Sequence, residues 1–161
     1  MTTSLMPRLS GCLLAVLLTA GAIAQDIKPL PPIIVTPSSD ITEKVIHSFK
    51  GSFKDGLDPV WYRLDKNYLV KFIMNEQKNT ALFNKNGRLL YNIGYGMEKD
   101  LPQKISDLVK GNYGDYEIQY VIHVTENNRS IWIVNLAGLK KLVVVRIEDG
   151  ELEEVGNYLK S

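Results

Sequence analysis

The order of apolar and polar positions divides the chain into a plan that is used twice. Ile41, Val45, Ile46 and Phe49 recur at helical spacing behind Ser39 and Asp40, either of which suits a helix N-cap, and Phe53 extends the row. Gly51 or Gly56 should fray the end of that helix, and Pro59 blocks its continuation. The period then drops to two. Strands are predicted over residues 60–64, 68–74, 79–84 and 88–95, with Tyr68, Val70, Phe72 and Met74 on one face of the second. Asp65-Lys66-Asn67 marks a tight turn. Asn86-Gly87 marks a hairpin, expected as type I′, which needs positive φ at both central residues.

The plan then returns. Asp100 is placed to cap a second helix that opens Leu101-Pro102, since proline is tolerated in a first turn, and Leu101, Ile105, Leu108 and Val109 supply its apolar face. Four more strands are predicted over residues 116–125, 130–136, 140–147 and 151–155, with turns at Asn127-Asn128, Ala137-Gly138 and Asp149-Gly150. An offset of 63 positions carries Gly87 onto Gly150, Leu89 onto Leu152, and Tyr68 and Val70 onto Ile131 and Ile133. The predicted fold class is α+β: two tandem α-β-β-β-β repeats, residues 40–96 and 97–161, forming an antiparallel sheet with the helices packed on one face.

What precedes residue 40 follows neither period. Residues 1–24 carry a single charge, Arg8, then an apolar run from Leu13 to Leu18 and a closing Ala22-Ile23-Ala24. That is the layout of a cleaved signal peptide, so the chain is expected to be exported, periplasmic or secreted, with no stable membrane insertion once the segment is removed. Leu9-Ser10-Gly11-Cys12 has the letters of an acylation site, but the apolar run follows the cysteine instead of preceding it. Residues 25–39, with prolines at 29, 31, 32 and 37, read as an extended arm or linker.

Cleavage after Ala24 would remove Cys12, the one cysteine, and with it disulfides, thiol nucleophiles and thiolate metal sites. It would also remove Arg8, leaving Lys and Arg in balance with the 18 Asp and Glu, so nothing points to nucleic acid. Catalytic signals are sparse. There are two histidines, His47 and His123, and neither belongs to a motif that supplies an orienting partner. The acidic run at Glu148-Asp149-Gly150-Glu151 lacks the spacing of a calcium loop and reads as a solvated hairpin tip. No cofactor, metal or catalytic residue is therefore expected.

Several residues taken together do carry a resemblance. Trp61, the row Tyr68-x-Val70-x-Phe72, the segment Phe83-Asn84-Lys85-Asn86-Gly87 with Leu89-Leu90-Tyr91, and Leu101-Pro102 opening a helix resemble the PepSY-like, beta-lactamase-inhibitor-like exported proteins of Bacteroidetes envelopes. The resemblance spans roughly residues 41–155. It implies tandem helix-plus-sheet repeats and an exported location, and it implies no tested activity. The second half departs from the pattern, with Arg146 in place of the hairpin aromatic and Val124 where Trp61 would map.

Aromatic residues remain as the candidate chemistry. Strand neighbours point to opposite faces, so one member of each adjacent pair belongs on the face that the helices leave open. Trp61, Tyr62, Arg63, Tyr91, Tyr95 and Trp132 are the expected anchors for a partner, an envelope or extracellular protein or peptide whose identity the sequence does not carry. The expected function is a non-enzymatic binding module, with an inhibitor of an envelope enzyme as its more specific form. A structural or chaperone-like envelope protein and a small hydrolase with an unrecognised site are the alternatives.

Overall fold

The computed structural model describes residues 36–160, so the expectations for a signal peptide and for most of the proline-rich arm lie outside the described residues. A two-residue strand, β1 (Thr36–Pro37), precedes α1 (Glu43–Ser52) and the strands β2 (Leu57–Leu64), β3 (Asn67–Met74), β4 (Gln77–Asn84) and β5 (Leu89–Gly96). A single 3-10 turn (Glu98–Asp100) leads to α2 (Gln103–Asn112), then β6 (Glu117–Glu126), β7 (Arg129–Ala137), β8 (Lys141–Glu148) and β9 (Glu151–Leu159). The strands form one antiparallel sheet in sequence order, β1 to β9. Eight long strands and two helices thus make the two tandem α-β-β-β-β repeats.

Both helices cover the same face. Val45 and Phe49 of α1, with Phe53 just past its end, pack on Tyr68, Val70, Phe72, Ala81 and Phe83. Aromatic edges fill this first core: Phe49 meets Phe72 at 5.1 Å and Trp61 at 5.5 Å between ring centroids. Leu101 and Val109, with Ile105 and Leu108 of α2, close a second core over Val121, Val134, Leu136, Val143 and Val145. The two cores share no buried residue. Where they would meet, β5 turns Asn92, Gly94 and Gly96 toward the helix side, as their pairings with Ala81, Asn79 and Val121 place them.

Several local expectations change. The N-cap of α1 is Thr42, not Ser39 or Asp40, and that of α2 is Pro102, not Asp100. Asp100 instead accepts the backbone N–H of Met97 at 2.8 Å and closes the 3-10 turn. Strand β2 starts three residues early and runs through Pro59. A register shift between Leu57 and Val60, with Asp58 at φ 50°, takes the proline out of the ladder.

The hairpins also sort differently. Asn75-Glu76, Asn127-Asn128 and Asp149-Gly150 have positive φ at both residues, as two-residue type I′ turns require. The Asn86-Gly87 turn does not. Only Gly87 is positive, at 83°, its N–H bonds Asn84 O, and the Asn84 side chain accepts the N–H groups of Asn86 and Arg88. The chain makes a longer loop there, with a register shift between Leu82 and Phe83.

The repeat offset is not constant. Glu43 and Gln103 open the helices 60 positions apart, whereas Leu89 and Glu151 open the last strands 62 apart. The pair Trp61–Val70 across β2 and β3 corresponds to His123–Trp132 across β6 and β7, again an offset of 62. Val70 therefore matches Trp132 and not Ile133, and Trp61 matches His123 and not Val124. A slip of one residue exchanges the faces of a strand.

Candidate functional site: the uncovered sheet face

Register assigns each strand residue to a face. Paired positions in antiparallel neighbours share a side, so following the pairs across the sheet traces rows of side chains. On the face away from the helices, one row runs Lys71, Thr80, Ile93, Val124, Ile131, Glu148, Glu151. The adjacent row runs Ile73, Lys78, Tyr95, Ile122, Ile133, Arg146, Glu153. Each has a lysine on the first repeat, an apolar middle over β5 to β7, and a glutamate on β9.

The middle of this face is apolar and partly open to solvent. Tyr95 is 43% and Tyr120 49% exposed, while Ile93, Ile122, Val124, Ile131 and Ile133 are half-buried by their neighbours alone. Burial, and secondarily Tyr95, pushes the Tyr91 phenol above its ordinary value, which keeps it uncharged. At the lysine end, Lys71 Nζ lies 5.2 Å from the Tyr62 ring centroid, a cation–π contact. A groove of ≈ 450 Å³ opens there beside Val60, Lys71, Ile73, Lys78 and Tyr95.

The opposite end is acidic but partly neutralised from within. Arg129 donates two hydrogen bonds to the Glu148 carboxylate, at 2.7 and 3.0 Å, and Arg146 bonds the same group. Glu126, Glu151 and Glu153 are exposed. The four carboxylates outnumber the two guanidinium groups by two, matching in size the two lysines at the other end.

Of the six expected anchors, the structure brings three to this face: Tyr62, Tyr91 and Tyr95. The other three lie on the helix side, which corrects their placement. Trp61 packs in the first core, 6.4 Å from the Phe83 ring. Arg63 lies 5.1 Å over the Tyr68 ring and donates to its hydroxyl at 3.1 Å. Trp132 packs against the second core and stacks on His123, with centroids 4.0 Å apart and planes 5° apart. The aliphatic positions at the centre were missed. Their signal is the unbroken apolar run, as in Ile131-Trp132-Ile133-Val134, which marks a strand that is apolar on both faces.

His123 Nε2 is 2.9 Å from Ser130 Oγ, and burial lowers the ring's pKa. His47 is exposed on α1. Among the described residues no group of three His, Cys, Asp or Glu is placed to hold a metal ion, and no helix is long and apolar enough to cross a membrane.

No protein-family model and no curated protein matches the chain. Solved structures do. A BLIP-like protein from Bacteroides fragilis matches with a TM-score of 0.60 at 13% identity, over 77% of this chain and 93% of that one. DUF2874 family proteins from Bacteroides uniformis and Bacteroides ovatus match with TM-scores of 0.56 and 0.57, both at 14% identity, over 74% and 73% of this chain and 90% of theirs. At such identity the likeness is one of fold, shared with BLIP-like and DUF2874 structures, and it does not single out PepSY proteins.

Proposed function

We propose that this chain is an exported, non-enzymatic binding module that holds an envelope protein or peptide on its uncovered sheet face. The observation that carries the reading is the apolar band over β5 to β7, on a side with no helix above it among the described residues. Contiguous apolar surface on a rigid sheet, rimmed by charge, is the composition of an interface. The tyrosines add large contact area with little side-chain freedom to lose. The inhibitor-like fold of the Bacteroides structures agrees with this reading, as fold-level analogy.

A hydrolase reading has one observation behind it, the His123–Ser130 contact. A histidine base also needs an orienting group, and the bond found for this ring is to Ser130 alone, with Trp132 against its face.

The test is affinity capture from native envelope and culture medium, with residues 25–161 as bait. A Tyr95→Ser, Ile133→Asp double variant removes the band, and His47→Ala on the exposed side of α1 serves as control. One partner held by the wild type and the control but lost by the double variant is the expected result. Equal capture by all three baits, or none by any, would remove the face from consideration.

A further inference from the structure

We infer that the groove at the lysine end of the open face is a binding site for an amphipathic monocarboxylate, a small molecule with one carboxylate head and an apolar body. This goes beyond the reading of the apolar band as a protein interface. The groove is built on β2 to β5, and Tyr95 is the one residue that it shares with the band.

A departure from regular strand geometry opens it. Between Leu57 and Val60, β2 spends two residues where β3 spends one. Asp58 stands there at φ 50°, and Pro59 has no N–H to give the ladder. The other non-glycine residues of positive φ among those described, Asp65, Asn75, Glu76, Asn127, Asn128 and Asp149, all fall at turns between strands. Asp58 is held so inside a strand, and backbone strain of that kind gathers at binding sites. The hollow beside it measures ≈ 450 Å³, within the range of small-molecule clefts. Val60, Ile73 and Tyr95 give it an apolar lining, and Val60 and Tyr95 are left 50% and 43% exposed.

Charge selects the occupant. Lys71 pairs with Thr80 and Lys78 with Ile73, so the lysines are diagonal neighbours on β3 and β4. Such positions are about 7–8 Å apart, close enough for two long side chains to meet on one carboxylate. Neither lysine enters an ion pair among the described residues, and Lys71 rests against the Tyr62 ring. The far end of the face differs, since Glu148 and Glu153 are already matched with Arg129 and Arg146. Two lysines against the one acid of the lining, Asp58, leave a single positive charge, which suits one carboxylate and disfavours a dianion. The apolar body then lies along Val60, Ile73 and Tyr95, where it leaves water.

Decanoate is the probe, titrated into isotope-labelled residues 25–161 and followed by amide chemical shifts. Saturable shifts should gather at Val60, Lys71, Ile73, Lys78 and Tyr95. Lys71→Gln with Lys78→Gln should weaken binding roughly tenfold or more, the loss expected when charge-assisted contacts go. Decanol, which has the tail without the charge, and decyltrimethylammonium, which has the opposite charge, should bind weaker than decanoate by a similar factor. Added salt should weaken decanoate binding to the wild type and change it little in the glutamine variant.

Shifts centred on Ile93, Ile122 and Ile133, equal binding of decanol, or unchanged affinity in the glutamine variant would overturn the inference. So would a blocked tripeptide, glutamate between two leucines, that occupies the groove while decanoate does not; the lysines would then serve the protein partner. The two readings fail separately. Decanoate held in the groove with no partner captured leaves the ligand site standing and the band reading fallen. Capture through the band with no decanoate bound does the reverse.

Discussion

Trp132 and Ile133 are adjacent in sequence and serve opposite sides of the sheet, one against His123 and the second core, the other in the open band. Which is which depends on the register of β6, β7 and β8, and no property of either residue announces it. An offset of 63 assigns Ile133 to the helix side; the true offset of 62 in this strand assigns Trp132 there. The stacked pair carries its own prediction. Burial favours neutral His123, so its pKa lies below the unfolded value of 6.5. The unfolded chain then binds more protons as pH falls, and folding loses stability. That loss should begin as pH drops through 6.5 and level off once the folded ring is also protonated. Urea unfolding at pH 7.5 and 5.5 should give a smaller drop in midpoint for His123→Phe than for the wild type. An equal drop would mean the ring is not the source.

Among the turns, the two glycines that precede the last strand of each repeat differ in what surrounds them. Gly87 and Gly150 have φ of 83° and 85°. A Cβ on Gly87 would lie 2.6 Å from Ser48 Oγ and 2.8 Å from Lys44 O, because the loop leans on α1, whereas one on Gly150 would meet nothing within 4 Å. Gly150→Ala should therefore cost only the strain of a left-handed residue, about 1–2 kcal/mol. Gly87→Ala should cost clearly more, since helix backbone cannot move aside, and thermal unfolding of the two variants measures the difference. Equal costs would show that the loop rides free of the helix. The sequence marks both sites as glycine turns. It does not show that only one is pressed against a helix, because that contact joins residues some 40 positions apart.

Across the whole molecule, the two faces of the sheet are joined differently. On the helix side the cores are separated by Asn92, Gly94 and Gly96 of β5, while on the open side Ile93 and Tyr95 of β5 continue the apolar band of β6 and β7. The halves thus share a backbone ladder and an exposed band but no buried core. Phe83→Ala, which should cost about 3–5 kcal/mol, is then expected to raise amide exchange in β2 to β4 more than in β7 and β8. A uniform rise would indicate one cooperative unit. The edges are also unlike. Strand β1 is two residues long and contains Pro37, a blunt end, whereas β9 has nine residues and relies on three glutamates and a bulge at Val155 to discourage pairing.

Taken alone, the sequence determined the class of fold and the order of its elements. Period-two and period-3.6 patterns are local, and Gly, Asn and Pro punctuate them by their own dihedral preferences. It also determined that the strands of the second half are apolar on both sides, in runs such as Leu142-Val143-Val144-Val145. Only the tertiary structure decided which of those sides the helices cover. Side-chain direction alternates at every residue, so a single bulge, such as those at Leu57/Val60 and Ile118/Tyr120, reverses the assignment of all that follows. For that reason Trp61, Arg63 and Trp132 went inward, and Lys71, Lys78, Glu151 and Glu153, far apart in the chain, came to stand at the two ends of one face.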